Sequence, residues 1–249
     1  MWNQDYIISS SPKEFMYKVY GWMATGLSIT AGIAYWVSST PALYNSIVRS
    51  PGFMIGICLA QFATVMFLGF MQNRLSYAGV VSAFSFYAGL MGITLSSILL
   101  VYTAESVATA FFITAGMFTA MALYGYFTKA DLSSMGSMLL MAIWGVVIAM
   151  LVNMWFQNPA MQYYISLAAV AIFTLLTAYD VQALKRLAES MMTDAETKNK
   201  IAVMGALTLY LDFINLFILG CIIRKIFTSN IIIKKINKNV YYLDNYIII

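Results

Sequence analysis

The hydrophobic pattern runs in long blocks separated by short polar clusters. Seven stretches exceed the roughly 18 apolar residues that mark a membrane-crossing helix. They are about Val19 to Val37, Phe53 to Met71, Tyr77 to Val101, Ser106 to Phe127, Met135 to Phe156, Tyr163 to Leu184 and Ile201 to Ile223. Between them, Pro41 and Pro51 bracket a short loop with Arg49, and Gln72-Asn73-Arg74, Lys129-Ala130-Asp131 and Gln157-Asn158-Pro159 mark further breaks. The most charged connection is 185–200. The pattern predicts an all-α polytopic membrane protein: a polar N-terminal segment (1–18) with a turn at Ser9–Pro12, a transmembrane domain of seven helices (19–223), and a polar, basic tail (224–249). That tail is too short and too polar to span, and is expected to lie on the membrane surface or to lack structure.

Two spans carry internal patterns. In the third, Ser82, Ser85, Gly89, Gly92 and Ser96 recur at 3-4-3-4 spacing, which in lipid lets two helix backbones approach closely. In the last, Gly205, Thr208, Asp212 and Asn215 fall on one helical face, with Leu209, Leu211, Phe213 and Phe217 on the others. This polar stripe predicts a central helix that turns Asp212 towards protein rather than lipid, because an ionised carboxylate in hydrocarbon costs several kcal/mol.

Composition agrees with the pattern: 61% of the 249 residues are hydrophobic and 10% charged, against about 25% charged in soluble domains. A net charge of +4 fits basic cytoplasmic loops rather than a nucleic-acid footprint. Histidine is absent, so proton-linked behaviour must come from carboxylates. Cys58 and Cys221 lie in apolar segments and form neither a disulfide framework nor a metal motif. The start, Met-Trp-Asn-Gln-Asp-Tyr, shows no cleavable signal peptide. Methionines and aromatics read as packing, and Trp2, Trp22, Trp36, Trp144 and Trp155 mostly as interfacial residues. With a cytoplasmic N-terminus, Lys13, Lys18, Arg74, Lys129, Lys185, Arg186, Lys198 and Lys200 fall inside, as the positive-inside rule asks. The basic tail conflicts unless the last segment enters and returns; seven full crossings are the favoured reading.

Two carboxylates stand out. Asp180 shares a face with Thr174 and Thr177, roughly 7 Å above Lys185. Asp212 lies roughly 16 Å from the inner end of its helix. The two helices are consecutive and antiparallel, so the aspartates are expected to meet and to share a proton. The alternative is that each is satisfied locally by Thr, Asn or Tyr and only fixes packing. Arg74, on the same side, is either a snorkelling interfacial residue or a counter-ion that latches the pair. Glu105 reads as an outer loop residue, or as a weak cation-attracting group.

At these residues the chain resembles a known family. Ala206-Leu-Thr-Leu-Tyr-Leu-Asp212-Phe-Ile-Asn215-Leu-Phe, Tyr179-Asp180 followed by Gln182, and Gly92-Ile-Thr-Leu resemble motifs of the Bax inhibitor-1 (transmembrane Bax inhibitor motif) family, in its bacterial form. The resemblance covers about residues 15–223. It implies six helices around a central seventh, in a bacterial plasma membrane, and a pH-sensitive calcium leak governed by Asp180 and Asp212, with Arg74 holding the closed state. In some bacterial relatives it implies inhibition of a membrane-bound ATP-dependent protease.

The expected function is therefore a non-enzymatic cation leak. Asp180 and Asp212 would sense protons and meet Ca²⁺ transiently, because hard cations prefer carboxylate and carbonyl oxygen. Arg74 would be the gate latch, and Thr177, Thr208 and Asn215 would support the polar stripe. The expected partners are the lipid bilayer, Ca²⁺ and H⁺, with no resident cofactor and no nucleic acid. Two alternatives are a regulator that binds a membrane protease and, more remotely, an intramembrane aspartyl protease. The latter uses a Tyr-Asp pair and a Gly-x-Gly-Asp motif, but Leu209-Tyr210-Leu211-Asp212 lacks the glycines.

Overall fold

Helix-forming apolar runs project well beyond the hydrocarbon-length windows that mark them. The computed structural model describes residues 12–72, 74–190 and 194–246. Within these residues the regular elements are all helical: α1 (Pro12–Ser39), α2 (Pro41–Leu43) running into a π-helical turn (Tyr44–Val48), α3 (Pro51–Met71), α4 (Tyr77–Val101), α5 (Ala104–Phe127), α6 (Ser133–Phe156), α7 (Pro159–Ser190) and α8 (Ala195–Tyr246). The stretch expected as a loop between Pro41 and Pro51 is thus mostly helical; both prolines open a helix, where a missing N–H costs nothing. Ser76 and Thr103 cap α4 and α5 by accepting from the backbone N–H of Gly79 and Ser106. Gln157, at φ 49°, ends α6 in the left-handed conformation just before Pro159 opens α7.

Among the described residues six helices, α3 to α8, are long and apolar enough to cross a membrane. The first span expected from the sequence lies in α1, which is long enough at 28 residues. Its apolarity is diluted by Gly21, Thr25, Ser28 and Gly32 on the exposed face. Its opposite face is a regular stripe of Phe15, Val19, Met23, Gly26, Thr30, Ala34 and Val37, all buried.

The last helix differs most from expectation. Nothing after Gly220 is Pro or Gly, so no residue stops the helix at Ile223, and the backbone stays helical to Tyr246. It does not enter and return. Near its start Lys200 donates to the Leu75 carbonyl at 3.2 Å, in the turn before α4, and Lys225 lies over the Tyr102 ring at the other end of α4. Residues 1–11, including Trp2 and the Ser9–Pro12 turn apart from Pro12, and residues 247–249 lie outside the described residues.

α8 packs against α1, α4, α5 and α7, while α3 leans on α4 and α6 on α7. In its apolar window 61% of residues are buried, against at most 39% in the other five candidate spans. Around it Val19, Val80, Phe84, Val181, Val203, Leu209 and Tyr210 form the centre of the core. Two glycines mark the closest backbone approaches. A Cβ at Gly92 would meet the Thr30 carbonyl oxygen at 2.8 Å, and one at Gly125 would run into the backbone of Ala178. The Gly89–Gly92 part of the small-residue stripe is therefore a packing seam against α1, whereas Ser82 at its start is exposed. Trp36 and Trp155 are exposed near helix ends, but exposed Trp144 sits midway along α6.

Candidate functional site

Asp180 and Asp212 come from consecutive antiparallel helices, and their meeting is set by how those helices pack. A Cβ at Gly205 would strike Leu184, so α8 lies tight against α7 towards the basic end of the bundle. The two carboxyl groups lie near enough for each to bear on the charge of the other. Asp212 is 3% exposed, and its Oδ2 is buried with no hydrogen-bond partner among the described residues. Asp180 is half-buried. Two carboxyl groups can hydrogen-bond to each other only when one carries a proton.

The supporting stripe divides. Gly205 and Asp212 are buried, but Thr208 is exposed and Asn215 half-buried. These two belong to a less covered face of α8 that runs through Ile201, Met204, Thr208, Leu211 and Asn215. At its N-terminal end this face borders a cavity of about 220 Å³ with Gln72, which caps the end of α3, and Lys200. The expectation that the whole stripe faces helices therefore fails at Thr208: α3 and α6 stand off α8, so that side of the central helix is not sealed. Thr177 is fully buried and donates to the Phe173 carbonyl of its own helix at 2.9 Å; Thr208 bonds Met204 in the same way at 3.3 Å.

Arg74 is exposed in the turn between α3 and α4 and makes no ion pair with either aspartate among the described residues. Its neighbour Leu75 is tied to α8 through Lys200. Glu105 is exposed in the first turn of α5. Cys58 is exposed and Cys221 buried, and neither is in a disulfide. No group of three or more His, Cys, Asp or Glu side chains that could hold a metal ion exists among the described residues.

Sequence reasoning missed the clamp just beyond Asp180. Gln182 Nε2 donates to the Ala130 carbonyl at 2.7 Å, and its Oε1 accepts from Leu132 N at 2.9 Å and from Arg186 at 2.7 Å. Arg186 also reaches Ser133 Oγ and pairs with Asp131 at 2.7 Å. The Ser133 backbone N–H, then Arg186, hold the exposed Asp131 carboxyl down at about 2. Lys185 donates to the Tyr126 carbonyl at 3.0 Å. One turn of α7 thus grips the α5–α6 connection. The available signal was Gln182 and Arg186 at i, i+4 opposite a short polar break that contains Asp131.

On the far side of α8, Thr30 donates to the Ala88 carbonyl at 2.9 Å and accepts from Tyr210 Oη at 2.6 Å. Tyr210 is fully buried, edge-on to Phe84 and Tyr87. A family model described as "Inhibitor of apoptosis-promoting Bax1" matches residues 12–229, which takes in both aspartates and all of the long helices but the end of α8. The chain belongs to the Bax inhibitor-1 family. Its similarity to the inner membrane protein YbhL of Escherichia coli (strain K12) is 46% identity over 206 residues, 82% of this chain and 88% of the relative. An uncharacterized protein of Borreliella burgdorferi is 42% identical over 205 residues (82% and 88%). Protein YrjE of Lactococcus lactis, also uncharacterized, is 33% identical over 206 residues (82% and 87%). The Bax inhibitor-1 fold thus accounts for the all-helical bundle, and a membrane location follows from its six apolar helices and its inner-membrane relative.

Proposed function

We propose that this Bax inhibitor-1 protein is a passive cation pathway whose opening is governed by protons on Asp180 and Asp212, with Ca²⁺ as its cargo. The observation that carries the reading is Asp212: a carboxylate buried in an apolar helix, with one oxygen unpartnered and a second carboxyl opposite. Ionisable groups inside a membrane are expensive and are retained for ion or proton handling. Two carboxylates supply too few of the six to eight oxygens of a resident Ca²⁺ site. They suit transient passage, with waters or carbonyls completing the shell.

In this mechanism the ionised pair attracts both a cation and a guanidinium. Arg74 acts as the latch, swinging in from its exposed turn to the basic end of α7 and α8. Protonation of one carboxyl weakens that latch and shifts the open–closed equilibrium. The same protonation removes a cation-attracting charge, so flux against pH need not be monotonic. Thr208 and Asn215 line the less covered face of α8 and supply polar groups beside Asp212, and Thr177 packs beneath Asp180. The protein is not an enzyme on this reading.

Seven crossings, with α8 central and the N-terminus in the cytoplasm of a bacterial plasma membrane, complete the proposal. What supports them is the parallel course of α1 and α8. Lys18 near the start of α1 donates to Asn199 near the start of α8 at 3.1 Å, and Thr30 and Tyr210 meet further along. Lys13, Lys18, Lys185 and Lys200 gather at that shared end, as the positive-inside rule requires. The polar or basic segments 1–18 and 224–249 would then lie on opposite sides.

The test is Ca²⁺ entry into dye-loaded proteoliposomes at several pH values, for wild type, Asp212→Asn and Asp180→Asn. Each substitution is expected to remove the pH response and to change flux at neutral pH by about tenfold, equivalent to 1.4 kcal/mol. Unchanged, still pH-sensitive flux in both would rule out the aspartate pair.

A further inference from the structure

The side of α8 opposite Asp212 is held by a chain of hydroxyl groups. Residues two apart in an α-helix are turned by about 200°, so Tyr210 and Asp212 leave α8 on nearly opposite sides. Thr30 of α1 donates to the Ala88 carbonyl of α4 at 2.9 Å, which leaves its oxygen to accept from the Tyr210 hydroxyl at 2.6 Å. Three helices thus meet at one buried polar point, with Thr30 2% exposed and Tyr210 fully buried. The surroundings are shaped for the ring. Phe84 and Tyr87 of α4 stand edge-on to it, with centroids 5.7 and 6.0 Å away. One turn before Thr30, Gly26 makes the room: a Cβ there would strike the Phe84 ring and come within 3.2 Å of the Tyr210 ring. α1 therefore supplies both the space and the acceptor, at i and i+4 of one face.

We propose that Tyr210, through Thr30, is a positioning residue for the aspartate pair: it fixes the rotation of α8 about its own axis, so that Asp212 is presented to Asp180. The inference rests on the reading of Asp180 and Asp212 as one titrating unit. Apolar contacts alone are non-directional, and a phenylalanine would fill the same place. The hydroxyl adds a bond with a required direction, and in hydrocarbon no water replaces it when it is lost. On the other side of α8, Gly205 lies tight against Leu184 of α7. α8 is therefore gripped from α1 and from α7, and the directional grip is the one at Tyr210. The groups around the Tyr210 ring, Phe84, Tyr87 and Thr30, carry no charge at neutral pH. Asp180 is the ionisable group that bears on Asp212. Removing the Tyr210 hydroxyl thus acts on where Asp212 sits and takes away no charge beside it.

The test is the infrared band of the protonated carboxyl, followed against pH in the full chain in lipid and assigned by its loss in Asp212→Asn, with Ca²⁺ flux read on the same preparations. Tyr210→Phe and Thr30→Val are each expected to move the pH midpoint of the band by about 0.5–1 unit, the reach of a change worth one hydrogen bond. Thr30→Ser, which keeps the hydroxyl, should hold the wild-type midpoint. The double variant Tyr210→Phe/Thr30→Val should move it no further than either single variant, because both remove the same bond. Ile57→Ala, buried on α3, which leans on α4 and not on α8, should lower thermal stability and leave the midpoint in place. An unmoved midpoint in Tyr210→Phe and Thr30→Val, a Thr30→Ser midpoint equal to that of Thr30→Val, or an equal shift in Ile57→Ala would each overturn the assignment. Should Tyr210→Phe fail to fold, the contrast between Thr30→Val and Thr30→Ser decides. A band that moves as expected in a protein whose flux ignores pH supports the positioning role and counts against the cation pathway, so the two readings fail separately.

Discussion

At the scale of single residues, the chain is most legible where a side chain breaks its surroundings. Asp180 and Asp212 stand out in the sequence because charge is rare in apolar helices, and the structure brings them face to face. Tyr210 and Thr30 do not stand out, because a hydroxyl in such a helix is unexceptional and their meeting depends on how α1 and α8 pack. Tyr210→Phe removes a 2.6 Å bond and should cost about 1 kcal/mol, the usual worth of a buried hydrogen bond. Tyr210→Ala should cost about 3–5 kcal/mol, as truncation of large buried aromatics does; both are readable as loss of thermal stability in detergent. Asp131 gives a pH prediction of known sign. Its folded-state carboxyl is held below its ordinary value, to about 2. The stabilisation from its pairing with Ser133 and Arg186 is therefore present above about pH 4 and lost as pH falls towards 2. A response between pH 5 and 8 should thus survive Asp131→Asn, which is checked by comparing the pH profiles of flux and of thermal stability in that variant.

At the scale of elements, apolar windows locate the helices but not their ends. The window ending at Leu184 stops at the first cluster of charges, yet α7 runs to Ser190 because Gln, Lys, Arg and Glu are good helix formers. The projecting turn is the one that clamps the α5–α6 connection through Gln182 and Arg186. Helix partners are legible only where small residues recur. The Gly89–Gly92 spacing marks a close approach in advance, whereas Gly125 gives no such sign and has the closest backbone contact of the glycines. Gly125→Ala places a methyl against the Ala178 backbone, two residues from Asp180. It should cost about 1–3 kcal/mol through overpacking, and it should alter the pH response by shifting α7. Gly21→Ala, with open space around it, should be neutral or stabilising by up to about 1 kcal/mol. Thermal unfolding of the two variants side by side separates packing from helix propensity.

At the scale of the whole molecule, the question of whether the last segment crosses or returns could not be decided from charge, since the basic tail pulls against the loops. The continuous α8, reaching from Leu75 at one end of the bundle to Tyr102 at the other, supports a full crossing. Cysteines placed at Lys13 and Lys225 should then be labelled by a membrane-impermeant maleimide from opposite faces of the membrane. Labelling from the same face would contradict seven crossings. The largest claim is that Asp180 and Asp212 act as one titrating unit that controls ion flow. The direct measurement is Ca²⁺ flux against pH for Asp180→Asn, Asp212→Asn and the double variant in proteoliposomes. A single unit predicts that either substitution removes the pH response and that the double variant is no more impaired than the singles, as strongly coupled groups require. Independent, additive losses, or a pH response that persists in the double variant, would contradict it.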